Sequence, residues 1–143
     1  MNVFITGTSS GFGFGLAKNY LEKGHTVYGI SRKRNETLSA YPNFRFLVQD
    51  ISMHNELQTN LVSFFTEVET LDLIILNAGI LNEIKDLKDT SLDEIEKVMQ
   101  INVWSNKVLI DTLFQIIPEI KQVVAVSSGA SVSGARGWNA YSL

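Results

Sequence analysis

The chain has 143 residues, of which 45% are hydrophobic and 19% are charged, and this composition is typical of one globular domain and excludes a mainly disordered chain. The net charge of −3 excludes the strongly basic surface that nucleic acids and anionic membranes bind. The lack of cysteine and the presence of only two histidines exclude disulfide scaffolds, thiol catalysis and His- or Cys-rich metal sites. We therefore expect a cytoplasmic domain with no metal, nucleic-acid partner or membrane partner.

Short apolar runs alternate with helical patterns along the chain. Runs rich in β-branched and aromatic residues predict five strands, at residues 2–6, 25–31, 44–49, 71–76 and 122–127. Apolar residues at helical spacing predict a helix over residues 11–23, which Gly24 ends. A short helix or loop is expected before Ala40.

Two longer helices are predicted in the second half of the chain. Ser52 is a good N-cap for a helix that runs to about Glu69. Ser91 and Glu94 form a capping-box pattern at the start of a helix that runs to about residue 117, just before Pro118.

The alternation of strands and helices indicates an α/β fold. Nearly continuous apolar strands are typical of a parallel sheet covered on both faces, and right-handed crossovers make it a doubly wound, Rossmann-type sheet. That fold has six strands, whereas five are present, so we expect the sixth to be missing. The prediction is a single dinucleotide-binding domain at residues 1–143 that is incomplete at its C-terminus, with strand 122–127 left as an apolar edge.

A glycine-rich segment lies between the first strand and the first helix. Glycines let the backbone turn tightly and approach a ligand, and free amides at a helix N-terminus bind anions such as pyrophosphate. A glycine-rich turn without a ligand is the simpler alternative, but the position after the first strand favours a dinucleotide site. The candidate residues are Gly7, Thr8, Ser9, Ser10, Gly11, Phe12 and Gly13.

Other polar and small residues stand where the predicted strands end. Each has a simpler explanation, because Asp50 could cap a helix, Asn77 could form a turn, and Ser128 could bond local backbone. Asn102, within the long helix, could face solvent. These candidates are Asp50, Ile51, Asn77, Ala78, Gly79, Asn102 and Ser128, with Tyr141 thirteen residues after Ser128.

In this order, the motifs TGxxxGxG, NAG and Ser…Tyr resemble the short-chain dehydrogenase/reductase family over the whole chain. The resemblance implies hydride transfer between a nicotinamide cofactor and a carbonyl or alcohol substrate. It implies that Tyr141 is the general acid and base, that Ser128 holds the substrate oxygen, and that Asn102 helps to hold a proton-relay water. It also implies that Asp50, Ile51 and the NAG residues contact the cofactor.

The family signature YxxxK begins at Tyr141, and the sequence ends two positions before the lysine. We therefore expect the 143 residues alone to be poorly active or inactive. The alternative reading is an NADP(H)-binding module without turnover.

The end of the second strand bears on the choice of cofactor. NAD sites usually place an acid there, which bonds the ribose 2′-hydroxyl, whereas this chain has Ser31 and then Arg32, Lys33 and Arg34. Ser31 and Arg32 are suited to bind a 2′-phosphate. The sequence favours NADP(H) over NAD(H), although a solvated basic loop is the alternative.

Apolar residues occupy more than one face of the long helix 92–117. One face must cover the sheet, and a second suggests a subunit contact. We expect a homo-oligomer formed through this helix.

Trp138, close to Tyr141, is either an apolar wall of the substrate pocket or a packing residue.

Overall fold

The fold is a parallel sheet with helices on both faces, seen in a computed structural model that describes residues 1–143. The strands are β1 (Asn2–Thr6), β2 (Thr26–Ser31), β3 (Phe44–Val48), β4 (Thr70–Leu71), β5 (Leu73–Leu76), β6 (Glu119–Ile120) and β7 (Val123–Ala125). The helices are α1 (Gly11–Glu22), α2 (Glu36–Ser39), α3 (His54–Phe64), α4 (Leu92–Met99), α5 (Ser105–Ile116) and α6 (Asn139–Ser142). Single turns of 3₁₀ helix cover Leu87–Asp89 and Gly129–Ser131, and a π-helical turn covers Gln100–Trp104.

The main sheet has five parallel strands in the order β3-β2-β1-β5-β7, while β4 and β6 form a separate parallel pair. This confirms the expected doubly wound α/β fold. The chain moves outward from β1 through β2 to β3 and then returns to the other side of β1 with β5. The strand order therefore reverses beside β1, and ligands of doubly wound sheets bind in the crevice at such a switch point.

Two apolar cores hold the sheet between its helices. On one face, α3 and α5 contribute fully buried leucines that pack around Phe4 and Ile74 of the sheet. On the other face, Leu21 of α1 and Leu38 of α2 pack on Val3. Because β1 is buried on both faces, packing fixes its position and that of the residues at its carboxyl end.

The helix after β3 differs from the prediction at both ends. The Ser52 hydroxyl donates to the Asp50 carboxylate at 2.7 Å instead of capping the helix, which begins one residue after Met53. The helix stops at Phe64, five residues before the predicted end, and the Thr66 hydroxyl just beyond it lies within hydrogen-bond distance of the Val62 and Ser63 carbonyls.

The predicted strand over residues 71–76 is interrupted at Asp72. Its carboxylate accepts a hydrogen bond from the Asn2 amide at 2.7 Å and from the Lys121 ammonium at 2.6 Å. These bonds place Asp72 between β4 and β5, and the short partner strand β6 was not predicted. The last strand is shorter than the predicted 122–127.

The last strand, β7, pairs with β5 alone and is an edge of the main sheet, as expected. Val124 and Val126 on this edge are 38% and 45% exposed.

The long helix is interrupted by the π-helical turn, which the sequence analysis did not predict. No helix has both the length and the apolar character needed to span a bilayer.

Candidate active site

The glycine-rich segment forms a tight loop at the carboxyl end of β1. Gly7 and Gly11 have positive φ angles of 77° and 60°, a region that side chains disfavour. A Cβ on Gly13 would lie 2.2 Å from the Gly7 carbonyl oxygen and 2.5 Å from Asn77 Nδ2. The close packing of Gly13 under the loop therefore admits no side chain.

The first turn of α1 offers backbone amides to a ligand. Ser10 is its N-cap residue, and its side chain makes no capping hydrogen bond. Amides of the first helical turn have no intrahelical acceptor, and together with the helix dipole they favour an anion. The loop and this turn therefore have the chemistry of a phosphate cradle.

Thr6 ties the glycine loop to the segment after β5. Its hydroxyl oxygen accepts hydrogen bonds from the backbone amides of Asn77 and Ala78, both at 2.9 Å. The Asn77 side chain donates back to the Thr6 carbonyl at 3.0 Å. The two neighbouring strand ends are thus fixed relative to each other, and Asn77 has a structural role whether or not it also contacts a ligand.

A cleft runs along the carboxyl ends of β1, β2 and β3. It brings together ten of the predicted cofactor-binding residues: Gly7, Ser9, Ser10, Ser31, Arg32, Asp50, Ile51, Asn77, Ala78 and Gly79. Four further lining residues were not predicted: Ile30, Gln49, Ile80 and Ile101. The three isoleucines lie next to predicted motif residues, so their position in the sequence was the available signal.

The other four predicted loop residues do not line this cleft. The Thr8 side chain is fully buried. Its Oγ1 packs against Gly29, where an added Cβ would lie only 2.9 Å from it. Phe12 points outward and is 64% exposed. Gly11 and Gly13 shape the backbone of the loop and the first turn.

The basic residues after β2 point in different directions. Arg32 is exposed, lines the cleft and forms no ion pair. The Arg34 guanidinium lies 5.3 Å from the centre of the Phe46 ring, a cation–π contact. The Ser31 hydroxyl donates to the Lys33 carbonyl at 2.9 Å, so its proton is already engaged. Arg32 is therefore the cation best placed to meet a phosphate in the cleft.

Asp50 also lines this cleft, follows the neighbouring strand β3 and remains ionised. Burial works to raise the pKa of its carboxyl group, but hydrogen bonds from the Ser52 hydroxyl and amide and the positive charges of Arg32 and Lys97 outweigh burial. The net effect is a pKa below the ordinary value. The cleft thus holds a carboxylate acceptor beside a guanidinium donor.

A second cleft brings together Asn102, Ser128 and Tyr141, the three predicted catalytic residues. The Ser128 hydroxyl accepts a hydrogen bond from the Ala130 amide at 3.2 Å and keeps its own proton for another acceptor. The Tyr141 ring packs edge-on against Trp138 with ring centres 5.9 Å apart, and its hydroxyl group makes no hydrogen bond. Both hydroxyl groups therefore retain a proton to donate.

Asn102 lies in the π-helical turn and uses its side chain on the backbone. Its Oδ1 accepts from the Ile80 amide and its Nδ2 donates to the Ile80 carbonyl, both at 2.8 Å. Both ends of the amide group are therefore bonded to Ile80, and each end has one further hydrogen-bonding position for the expected water contact. π-Helical turns are frequent at functional sites.

Two polar residues near Asn102 were missed. Asn106 Nδ2 donates to the Asn102 carbonyl at 2.9 Å, and Asn106 also lines the second cleft. Ser105 is fully buried, and its Oγ lies 2.8 Å from the Ile51 carbonyl and 2.7 Å from the Gln100 carbonyl. Ser105 links the π-helical turn to the loop after β3. Ser105 and Asn106 lie three and four residues after Asn102, the spacing of neighbours on a helix, and this spacing could have indicated them from the sequence.

The segment before α4 is held by charge. Glu94 completes the predicted capping box with Ser91, and its carboxylate also pairs with Lys85 at 2.8 Å. The hydrogen bond from Lys85, followed by that from the Ser91 amide, lowers the pKa of Glu94 from 4.5 to about 2. The same pair raises the pKa of Lys85.

We expect Glu94→Gln to destabilise the fold at neutral pH but not in strong acid. A depressed native pKa adds stability above the unfolded pKa, and that stability disappears as the pH falls from 4.5 toward about 2. Urea unfolding across this range should show the variant and the parent converging. Glu96→Gln, on the exposed face of the same helix, should differ little from the parent at any pH. A constant deficit for Glu94→Gln would contradict the ionic origin.

Comparison with known proteins agrees with this geometry. The family model described as short chain dehydrogenase matches residues 1–143. The chain belongs to the short-chain dehydrogenase/reductase family. A solved short-chain dehydrogenase/reductase from Burkholderia vietnamiensis superimposes on it with a TM-score of 0.87, at 26% sequence identity, over 99% of this chain and 69% of that one.

Two curated relatives of this short-chain dehydrogenase are reductases. The chain is 32% identical to a Bacillus subtilis benzil reductase that forms (S)-benzoin, over 96% of this chain. It is 31% identical to an NADPH-dependent pterin aldehyde reductase of Arabidopsis thaliana, over 93% of this chain. The matches span 58% of the length of each relative.

Proposed function

We propose that the protein transfers hydride between NADP(H) and a carbonyl or alcohol substrate. The observation that carries this proposal is the junction of the two clefts, because Asn77, Ala78, Gly79 and Ile80 line both. A dinucleotide that starts in the glycine-loop cleft would reach the hydroxyl groups of Ser128 and Tyr141 at this junction. The two reductases among the relatives, which act on carbonyl compounds by name, support the same reaction class.

The residues fit a dinucleotide. The glycine loop and the uncapped first turn of α1 suit a pyrophosphate, and Asp50 and Ile51 offer a polar and an apolar contact to a base. When bound, the nicotinamide would supply or accept the hydride. Asn102 fixes Ile80, and through it the junction that borders the reacting centre.

Tyr141 and Ser128 divide the handling of the substrate oxygen. Ser128 would donate its free proton to the carbonyl oxygen and orient it, while Tyr141 would transfer a proton to that oxygen as negative charge develops. In the reverse direction Tyr141 would take the proton from the alcohol. The test is oxidation of NADPH by the full gene product with aldehydes and diketones, and no oxidation with any of them would contradict the proposal.

Arg32 should decide between NADP(H) and NAD(H). A guanidinium–phosphate contact is a charge-assisted hydrogen bond, and its loss weakens binding by about 10- to 100-fold. We expect Arg32→Ala to weaken NADPH binding by this factor and NADH binding by less than about threefold, as measured by calorimetry. Arg34→Ala is the matched control, because Arg34 stacks on Phe46 and does not line the cleft. Equal losses for both cofactors would contradict the assignment.

We also propose a homo-oligomer formed through the long helical region 92–117. Large apolar side chains on it face outward: Leu92 is 68% exposed, Trp104 52% and Phe114 59%. Exposed apolar surface of this kind is typical of subunit contacts. The two buried leucines of α5, Leu109 and Leu113, cover the sheet on the opposite side.

A further inference from the structure

We infer that Asn139 is a positioning residue that fastens the helix carrying Tyr141 to the segment before α4. The inference rests on the proposed function, because it assigns a role in placing the proposed acid. It is carried by contacts that join two parts of the chain about fifty residues apart.

The side-chain amide of Asn139 binds two acceptors on that segment. Its Nδ2 donates to the Lys85 carbonyl at 3.1 Å and lies 3.0 Å from the Thr90 hydroxyl oxygen. Its Oδ1 accepts from the amide of Ala140 at 2.6 Å, which fixes which end of the amide group faces the segment. The Thr90 hydroxyl in turn donates to the Asp86 carbonyl at 3.1 Å, so its oxygen is free to accept from Asn139.

Neighbouring contacts bring the same two segments together. The Lys85 amide donates to the Gly137 carbonyl at 3.3 Å, and Arg136 makes two hydrogen bonds to Asp86, both at 2.7 Å. The Arg136 side chain is 86% exposed, and ion pairs in water contribute little. Asn139 is half-buried, so its bonds are less exposed to water than the ion pair of Arg136.

Tyr141 depends on these bonds because its own helix is short. An isolated helix of four residues is not stable, so α6 owes its position to tertiary contacts. Ala140 is buried and Tyr141 makes no hydrogen bond through its hydroxyl group. Asn139 is therefore the residue of α6 whose side chain ties this helix to another part of the chain.

The segment that Asn139 binds is connected through α4 to residues that border the cofactor cleft. Thr90 directly precedes Ser91, the N-cap of α4, and α4 continues into the turn that holds Asn102 and, through it, Ile80. Asn139 thus joins the helix of Tyr141 to the helical element that fixes the cofactor side of the cleft. Its loss should change the distance between the Tyr141 hydroxyl group and the carbonyl oxygen that it would protonate.

Asn139→Asp tests this inference with an isosteric change. The carboxylate keeps the acceptor for the Ala140 amide but cannot donate to Lys85 or Thr90. We expect kcat for carbonyl reduction in the full gene product to fall by about 10- to 100-fold, the effect of a misplacement of about 1 Å. The KM for NADPH should stay within about twofold, because the cofactor cleft is unchanged.

Asn43→Asp is the matched control. Asn43 Nδ2 also binds two acceptors, the carbonyls of Leu21 and His25, but it lies just before β3, at the amino ends of the strands and away from Tyr141. This variant should lose stability without losing kcat. If Asn139→Asp keeps the parental kcat, or if both variants lose kcat equally, the inference is overturned. Thr90→Val should show part of the decrease in kcat that Asn139→Asp shows, and Thr90→Ser should keep the parental kcat.

Hydrogen exchange separates this inference from the proposed function. The amides of residues 139–143 should exchange at least about tenfold faster in Asn139→Asp than in the parent, and Asn43→Asp should leave them unchanged. A parent that reduces no carbonyl but shows this difference would contradict the proposed function alone. Unchanged exchange in an active parent would contradict the anchoring role alone.

Discussion

Replacing Tyr141 by phenylalanine should reduce the rate of carbonyl reduction by about 10²- to 10⁴-fold, the usual contribution of a general acid or base. The substitution removes the hydroxyl group and leaves the ring, which packs against Trp138. Because that hydroxyl group makes no hydrogen bond, its removal should change neither the fold nor NADPH binding. Steady-state kinetics and calorimetry on the full gene product measure both quantities.

Tyr41→Phe is the control for this prediction. Its hydroxyl group donates to Glu22 at 3.3 Å, on the exposed side of α1 and away from both clefts. This variant should keep the parental rate. If Tyr141→Phe also keeps the parental rate, the proton must come from another group, and the proposed role of Tyr141 is wrong.

Gly13→Ala should disrupt both the glycine loop and cofactor binding. The new Cβ would lie 2.2 Å from the Gly7 carbonyl oxygen, so the backbone must shift. Overpacking of this kind costs about 1–3 kcal/mol of stability. Because the same shift moves amides that would bind the pyrophosphate, we expect NADPH affinity to fall by about 10- to 100-fold.

Gly15→Ala provides a matched control on the same helix, because its added Cβ would lie more than 4 Å from every atom outside the neighbouring helix backbone. Alanine favours a helix over glycine, so this variant should gain about 0.4–1 kcal/mol and bind NADPH normally. Urea unfolding and calorimetry measure the two effects. Normal NADPH binding by Gly13→Ala would show that the loop does not hold the cofactor.

The sequence indicated the residues of the site better than it indicated what each of them contacts. The glycine loop, Asp50 and residues 77–79 were found because they follow apolar strands, and the ends of parallel strands meet at one edge of a sheet. The sequence did not show that Thr8 is buried or that the Ser31 proton is already bonded to Lys33. Both depend on the path of the loop rather than on residue type.

The ends of helices and strands could be predicted where they depend on neighbouring residues, and not where they depend on residues far away in the sequence. The capping box of Ser91 and Glu94 was predicted because its bonds span only three residues. The break at Asp72 was missed because it depends on Asn2 and Lys121, 70 and 49 residues away. The π-helical turn was also missed, and Ser105, which follows it, lies 2.8 Å from the Ile51 carbonyl, 54 residues away.

The sequence by itself determined the alternation of strands and helices, the glycine loop and the family pattern, because these rest on apolar periodicity and on local backbone chemistry. Only the tertiary structure decided which atoms face one another in the clefts. Asn102 holds Ile80, 22 residues away, and Asn139 holds Lys85, 54 residues away. A hydrogen bond requires its donor and acceptor within about 3 Å, and for residues so far apart in the sequence only the packing of the sheet and helices brings them together.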